Sequence, residues 1–229
     1  NGVLIDKHIN VIKNCVDKIY LSIDGPKEVH DSIRGSGVFD KVIDNIKILN
    51  HHDVTVMSVI TEGLVNNLKE YLCILNELNI KKLYLQDMIG LKSEEIADYQ
   101  SWLKNTFEIN AIYINSWVNN DIKDFGNKID SILAGTDLTK FNYEIIHKIH
   151  FENEMKYCLS PFKHIHIAWN GNMLYCTDFY DFFAGNVKKE KLKKIFNNSL
   201  SEKFREEILK NRCATCKHCS WRNNTFFMI

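Results

Sequence analysis

The chain has 229 residues, of which 45% are hydrophobic and 25% are charged, values that are ordinary for a globular protein. Lysine plus arginine and aspartate plus glutamate both total 29, so the formal net charge is zero. Because basic residues are not in excess, the composition does not favour nucleic acid as a partner. The longest apolar runs have only the length of a strand, so the sequence predicts no membrane-spanning helix.

Helical and strand-like apolar patterns alternate from residue 2 to about residue 135. The predicted helices in this part are 5–16, 39–49, 68–78, 94–107 and 121–134. The predicted strands are 18–23, 54–60, 82–86 and 112–114. Such alternation builds a parallel sheet covered by helices, which is either barrel-like or doubly wound.

The pattern changes after residue 135, where residues 139–156 predict a connecting helix and a domain boundary is expected within 136–156. Two strand-like segments then flank Asn170-Gly171, a strong hairpin signal. With a two-residue turn, Trp169 is expected to face Asn172. Helices are predicted at 190–196 and 200–211, the second of which ends just before a group of cysteines.

The seven cysteines are unevenly distributed along the chain. Cys15 and Cys73 stand alone on predicted helix faces, where we expect small buried apolar residues. The other five are Cys158, Cys176, Cys213, Cys216 and Cys219. Clustered thiols with two-residue gaps favour a metal site in a reducing compartment over a disulfide scaffold, so the protein is expected to be cytoplasmic.

The spacing of these cysteines predicts one metal site but does not choose the metal. The Asn170-Gly171 turn brings Cys176 back toward the side from which Cys158 enters, and Cys213-x2-Cys216 lets two thiolates reach one centre. Four thiolates suit either tetrahedral Zn²⁺ or a [4Fe–4S] cluster. His164 and His166 share one face of the hairpin, which we interpret as an exposed face without metal ligation.

Two segments resemble radical S-adenosylmethionine (radical SAM) enzymes that carry a C-terminal SPASM or Twitch domain. One is similar to the fourth barrel strand and its following turn, and comprises Ile19-Tyr20-Leu21-Ser22-Ile23-Asp24-Gly25-Pro26, Glu28, His30-Asp31, Ile33-Arg34-Gly35 and Gly37-Val38-Phe39. The other resembles the auxiliary-cluster domain, and comprises Cys158-x2-Pro161-Phe162, Cys-x12-Gly-x4-Cys, Gly185-Asn186, Phe196-Asn197, Arg205 and Cys213-x2-Cys216.

The resemblance implies an α/β fold. Residues 1–140 would form the later part of a partial (β/α)6 barrel, and residues 141–229 a small α+β Twitch or SPASM cluster domain. The family carries Cys-x3-Cys-x2-Cys on its first strand, where the thiolates hold the cluster that cleaves S-adenosylmethionine. No three cysteines have that spacing here. We therefore expect a C-terminal portion of a longer enzyme, inactive toward S-adenosylmethionine by itself.

The five C-terminal cysteines are too few for the two auxiliary clusters of the longer SPASM form, so the single-cluster Twitch form is the better match. By resemblance, Cys158, Cys176, Cys213 and either Cys216 or Cys219 hold an auxiliary [4Fe–4S] cluster. In the intact parent, S-adenosylmethionine and a second [4Fe–4S] cluster are the further cofactors.

The resemblance also assigns a cofactor site at the carboxyl end of strand 18–23. Ser22 is expected to contact the ribose or carboxylate of S-adenosylmethionine. Asp24 belongs to the same segment and either joins this site or only makes the turn with Gly25. Arg34 either binds an anion such as the cofactor carboxylate or forms a surface ion pair with Asp31 or Glu28. Gln86 ends another strand at the same edge and either contacts a ligand or has no role.

The implied enzyme abstracts a hydrogen atom from a peptide or a small molecule. Its auxiliary cluster accepts an electron or binds the substrate, and a reductase or ferredoxin donates electrons. Neither nucleic acid nor a membrane is an expected partner. The alternative from a different functional class is a non-catalytic binding module in which four cysteines hold a structural zinc ion.

Overall fold

The structure is a computed structural model that describes residues 1–49, 53–86, 88, 90–121, 123–147, 158–176, 180–210 and 216. The chain divides into two compact units. The first comprises Asn1–Met88 and Lys123–His150, and the second comprises Ile89–Ile122 and Phe151–Ile229. Residues 89–122 thus group with the C-terminal region, whereas the sequence predicts a single boundary within 136–156.

The described helices are α1 (Ile5–Cys15), α2 (Lys27–Arg34), α3 (Val38–Leu49), α4 (Glu62–Asn66), α5 (Leu68–Asn76), α6 (Ser93–Phe107), α7 (Gly126–Ala134), α8 (Ser160–Lys163), α9 (Leu192–Phe196) and α10 (Ser199–Leu209). The described strands are β1 (Lys18–Ser22), β2 (Asp53–Val59), β3 (Lys82–Gln86), β4 (Glu144–His147), β5 (His166–Ile167), β6 (Asn172–Leu174) and β7 (Gly185–Asn186). Within the described part, no helix is long and apolar enough to cross a membrane.

The first unit contains a four-stranded sheet in the order β1-β2-β3-β4. All three neighbouring pairs are parallel. Leu21, Val56 and Leu83 lie in register and pack with the helices in one apolar core. The predicted α/β class and the adjacency of the three strands near 18–23, 54–60 and 82–86 are confirmed.

The fourth strand corrects the prediction of a connecting helix over residues 139–156. β4 pairs in parallel with β3, with Glu144 opposite Lys82. The β-branched pair Ile145 and Ile146 suits a strand, and the preceding Tyr143 is anchored by a 2.8 Å hydrogen bond from its hydroxyl to the Leu72 carbonyl. Tertiary contacts therefore decide the conformation of residues 144–147, and residues 148–157 lie outside the described part.

The second unit has a three-stranded antiparallel sheet, β5-β6-β7, packed with an aromatic cluster. The Phe204 ring stacks on Tyr175 and on Phe182, with centroid distances of 5.5 and 4.2 Å. Arg205 donates to the Tyr175 hydroxyl at 2.9 Å and lies over the Phe196 ring at 4.6 Å. Arg205, which is one of the residues that carry the family resemblance, therefore helps to pack this unit.

The prediction of a strand at residues 112–114 is wrong, because a buried carboxylate accepts hydrogen bonds from the backbone amides of this segment. Asp181 is only 5% exposed and accepts hydrogen bonds from the amides of Ile112, Tyr113 and Ile114 at 2.6, 2.8 and 3.0 Å. Three converging amides fold the segment into the 3-10 helix Tyr113–Trp117. A buried aspartate with three backbone donors is a strong local anchor.

Replacing Asp181 by asparagine is expected to destabilise the second unit by about 2 kcal/mol, because the amide removes the charge and turns a donor toward these N–H groups. The tryptophans of the described part, Trp102, Trp117 and Trp169, lie in this unit, so urea unfolding followed by tryptophan fluorescence reports on it. The exposed Asp121→Asn serves as the matched control. An unchanged midpoint in the Asp181 variant would contradict the anchoring role.

Candidate functional site

One face of the parallel sheet is covered by helices and the opposite face is partly exposed. Leu21, Val56 and Leu83 on the covered face are at most 3% exposed. On the opposite face Ser22, Met57 and Tyr84 are in register across three strands, and each is half-buried. Ser22 therefore ends β1 on the accessible face, at the carboxyl edge where ligands bind in barrel and doubly wound folds.

Asp24 lies just beyond Ser22 and ties the ends of two strands together. Its side chain is buried, with Asp24 only 1% exposed. Its Oδ1 accepts the Val59 amide at 3.0 Å, and its Oδ2 pairs with Nε of Arg34. The backbone amide of Asp24 donates to Nδ1 of His30 at 3.1 Å. Asp24 thus does more than make the turn with Gly25.

Arg34 ends α2, and its side chain is 28% exposed beside the nearly buried Asp24 carboxylate. The ion pair expected with Asp31 or Glu28 is replaced by this deeper one. Asp31 instead accepts the amides of Gly37 and Phe39, both at 2.8 Å, which lowers the pKa of its carboxyl group. The structure therefore brings Ser22, Asp24 and Arg34 into one segment around the carboxyl end of β1.

Two side chains that were not predicted from the sequence stabilise this edge from the covered face of the sheet. Ser58 Oγ and the Tyr71 hydroxyl donate to the Ile23 carbonyl at 2.6 and 2.8 Å. Both residues are 0% exposed, and burial raises the pKa of the Tyr71 hydroxyl well above its usual value. The available signal was Ser58 itself, a polar residue at a core position of β2 that needs a partner.

Gln86 ends β3 at the same edge. Its carbonyl accepts the Ile60 amide at 2.7 Å, and its register partner on β2 is Val59. The side chain is half-buried on the same face as Ser22. The Gln86 side chain therefore lies at the same carboxyl edge of the sheet, where a ligand is expected to bind.

The cysteine hairpin forms, with a register one residue away from the prediction. His166 pairs with Leu174, and the Ala168 amide bonds to the Asn172 carbonyl at 2.9 Å. The loop therefore contains three residues, and Trp169 does not face Asn172. Gly171 has φ of 92°, a left-handed conformation that glycine adopts without strain.

Three predicted metal ligands are described, and all are half-buried cysteine side chains. Cys158, Cys176 and Cys216 each pack against the apolar core of the second unit. Cys213 and Cys219 lie outside the described residues. Within the described ranges, no group of three or more His, Cys, Asp or Glu side chains is close enough to hold a metal ion. The soft sulfur donors nonetheless fit the thiolate chemistry of Fe–S or zinc.

Two predictions about side-chain exposure are wrong. Cys15 and Cys73 are exposed rather than buried. His164 and His166 are half-buried, whereas Ile167 between them and the turn is 53% exposed and Trp169 is 93% exposed. The histidine face is thus the less exposed face of β5, so the interpretation of an exposed face is wrong.

The aromatic residues that follow Cys176 behave differently from one another. Phe182 is 3% exposed and belongs to the core, while Tyr180 and Phe183 are 46% and 47% exposed. Phe179 lies outside the described residues. Core packing therefore explains Phe182 without reference to a cluster.

Comparison with known proteins first identifies the cysteine region. A family model described as SPASM, an iron-sulfur cluster-binding domain, matches residues 158–220. A curated relative from Clostridium novyi (strain NT), a cysteine-type anaerobic sulfatase-maturating enzyme, is 24% identical over 221 residues, which cover 88% of this chain and 54% of the relative. The chain therefore spans about half the length of that relative.

Solved structures share the fold. Streptococcus suis SuiB has a TM-score of 0.57 at 14% identity, covering 88% of this chain and 49% of SuiB. The protein anSMEcpe with bound AdoMet, which is S-adenosylmethionine, has a TM-score of 0.53 at 21% identity, covering 97% of this chain and 61% of that chain. The family model supports the predicted iron–sulfur cluster, and S-adenosylmethionine, the other predicted cofactor, is bound in the neighbour anSMEcpe. Residues 158–220 are thus similar to an iron–sulfur cluster-binding SPASM domain, and the matches together support the predicted resemblance to radical SAM enzymes that carry such a domain.

Proposed function

We propose that the chain is the C-terminal portion of a radical SAM enzyme that abstracts a hydrogen atom from a peptide. Cys158, Cys176 and Cys213, with either Cys216 or Cys219, would hold an auxiliary [4Fe–4S] cluster. One observation carries the proposal: the same chain combines a SPASM-matched cysteine hairpin with a parallel sheet whose carboxyl edge carries Ser22 on its accessible face. We assign the four parallel strands to the later part of a partial (β/α)6 barrel.

At the sheet edge, the chain's task is to bind and orient a cofactor. Bound S-adenosylmethionine, together with the catalytic cluster of the parent enzyme, supplies the radical that removes hydrogen from the substrate. The Ser22 hydroxyl would hydrogen-bond the ribose or carboxylate of the cofactor. Arg34 has N–H groups beyond the Nε that pairs with Asp24, and a carboxylate suits that planar fork.

In the second unit, the chain's task is to hold a cluster and limit its contact with water. The thiols of Cys158, Cys176 and Cys216 are half-buried beside an aromatic core. Partial burial and nearby hydrogen bonds are the factors that tune the potential of such clusters. The cluster would accept an electron from the substrate radical or bind the substrate, and a reductase or ferredoxin would be the electron donor.

A peptide is favoured over a small molecule as the substrate. The curated relative is named for sulfatase maturation, which acts on a protein. SuiB has been solved bound to its precursor peptide SuiA, and anSMEcpe with a peptide called Kp18Cys. These neighbours share the fold of this chain, so the accessible sheet face with Tyr20 and Tyr84 is the surface on which we expect the peptide.

Replacing Ser22 by alanine tests the cofactor site. We expect the dissociation constant for S-adenosylmethionine, measured by calorimetric titration of the anaerobically prepared chain, to rise about tenfold, since a lost hydrogen bond to a partly charged ligand weakens binding by that order. Ser101→Ala, which removes an exposed hydroxyl on α6, is the control. Equal affinity of both variants and the unmodified chain would remove Ser22 from the site.

A further inference from the structure

His30 lies in α2, beside the turn that follows β1, and it is fully buried at 0% exposure. Its Nδ1 lies 3.1 Å from the backbone nitrogen of Asp24. An amide nitrogen can only donate, so Nδ1 must accept and the ring proton must reside on Nε2. The geometry therefore fixes both the charge and the tautomer of this histidine.

The surroundings agree with a neutral ring. Burial lowers the pKa of His30 below its usual value. The ring packs edge-on against Phe39, with centroids 5.9 Å apart. A protonated ring would turn an N–H group toward the Asp24 amide, so that two donors would face each other.

Packing alone does not explain a histidine at this position. Within the described part of the chain, the buried Nε2 of His30 has no hydrogen-bond partner. A buried donor without a partner is unfavourable, and a phenylalanine of similar shape would avoid that loss. What phenylalanine lacks is the acceptor that Nδ1 offers to Asp24.

The neighbouring turn shows why that acceptor matters. Gly25 has φ of 142°, and a Cβ there would lie 2.9 Å from Cγ1 of Val29 in α2. Helix and turn are thus in close contact, and the amide of Asp24 points at the helix while its carboxylate reaches Val59 and Arg34. The His30 contact holds the backbone from which that carboxylate extends.

We infer that His30 is a positioning residue for the carboxyl edge of the sheet. By accepting the Asp24 amide, it aligns the carboxylate that joins β1 to β2 and holds Arg34. The inference rests on the proposed function and deepens it, since this is the edge assigned to S-adenosylmethionine. His30 itself contacts neither a ligand nor any reacting atom in this role.

Two variants separate the acceptor from the shape of the ring. His30→Asn keeps an acceptor near the position of Nδ1, and His30→Phe keeps the ring without it. The exposed His8→Phe is the control. The ¹⁵N spectra of the full chain report the His30 tautomer and the Arg34 Nε–H signal, and calorimetry reports the dissociation constant for S-adenosylmethionine.

We expect a proton on Nε2 in the unmodified chain. His30→Phe should shift the Arg34 Nε–H signal and weaken S-adenosylmethionine binding about tenfold, while His30→Asn should restore both to nearly the original values. A proton on Nδ1, or an unchanged Arg34 signal in a folded His30→Phe chain, would overturn the inference. If His30→Phe does not fold, the tautomer and the His30→Asn variant decide.

Different results test the proposed cofactor site and the positioning role of His30. Absence of S-adenosylmethionine binding by the unmodified chain counts against the proposed cofactor site, and the Arg34 signal still decides the role of His30. Normal binding together with an unchanged Arg34 signal in His30→Phe counts against the positioning role alone.

Discussion

Replacing Cys176 by alanine is expected to abolish cluster uptake. Cys176 follows β6 in the hairpin matched by the SPASM family and is half-buried beside the aromatic core. A [4Fe–4S] cluster takes four thiolates, so losing one of the hairpin ligands should reduce the iron content from about four atoms per chain to near zero. Iron and acid-labile sulfide are measured after anaerobic reconstitution.

Cys73→Ala is the matched control, because Cys73 is an exposed free thiol on α5. It should retain the full iron content and the brown colour. Cys158→Ala should behave like the Cys176 variant. Full iron retention in the Cys176→Ala chain would show that the proposed ligand set is wrong.

Replacing Asp24 by asparagine is expected to have the largest effect on the stability of the first unit. The carboxylate is buried, accepts the Val59 amide and pairs with Arg34. Removing one member of a nearly buried ion pair leaves its partner uncompensated, which we expect to lower the free energy of unfolding by about 3 kcal/mol. Urea unfolding followed by circular dichroism measures the change.

The control is Asp40→Asn, since Asp40 also forms an ion pair, with Lys27, but its side chain is 57% exposed. Surface pairs contribute little because water and salt screen them. The two variants therefore remove the same charge in different surroundings. Equal unfolding midpoints would show that the Asp24–Arg34 pair does not stabilise the edge.

The sequence predicted the elements whose apolar pattern is long and regular. α3, α5 and α6 and the strands β1 to β3 lie within a few residues of their predicted limits. Alternation of helices and strands also predicted the parallel sheet. Each of these segments buries its own apolar face, so its hydrophobic pattern is sufficient to predict the helix or strand.

The missed elements depend on partners far away in the chain. β4 forms because Glu144–His147 pairs with β3, and the 112–114 segment is helical because Asp181 captures its amides. The hairpin register differs by one residue because Gly171 adopts a left-handed conformation inside a three-residue loop. No local pattern encodes such long-range contacts.

The candidate site was only partly predictable for a related reason. Ser22 and Arg34 were found through a resemblance. Ser22 lies at the edge because it ends a parallel strand, whereas Arg34 reaches the edge from α2 by pairing with Asp24. His30, Ser58 and Tyr71 act through buried hydrogen bonds to Asp24 and Ile23, and these partners are set by the tertiary fold. Cys213 and Cys219 remain a prediction from spacing and resemblance.

We propose that this chain holds an iron–sulfur cluster rather than a structural zinc ion. The most direct measurement is metal and sulfide analysis of the anaerobically purified chain, with a Mössbauer spectrum of the ⁵⁷Fe-labelled sample. We expect about four irons and four sulfides per chain, the spectrum of a [4Fe–4S] cluster and no stoichiometric zinc. A colourless chain with one tightly bound zinc ion and no sulfide would contradict it.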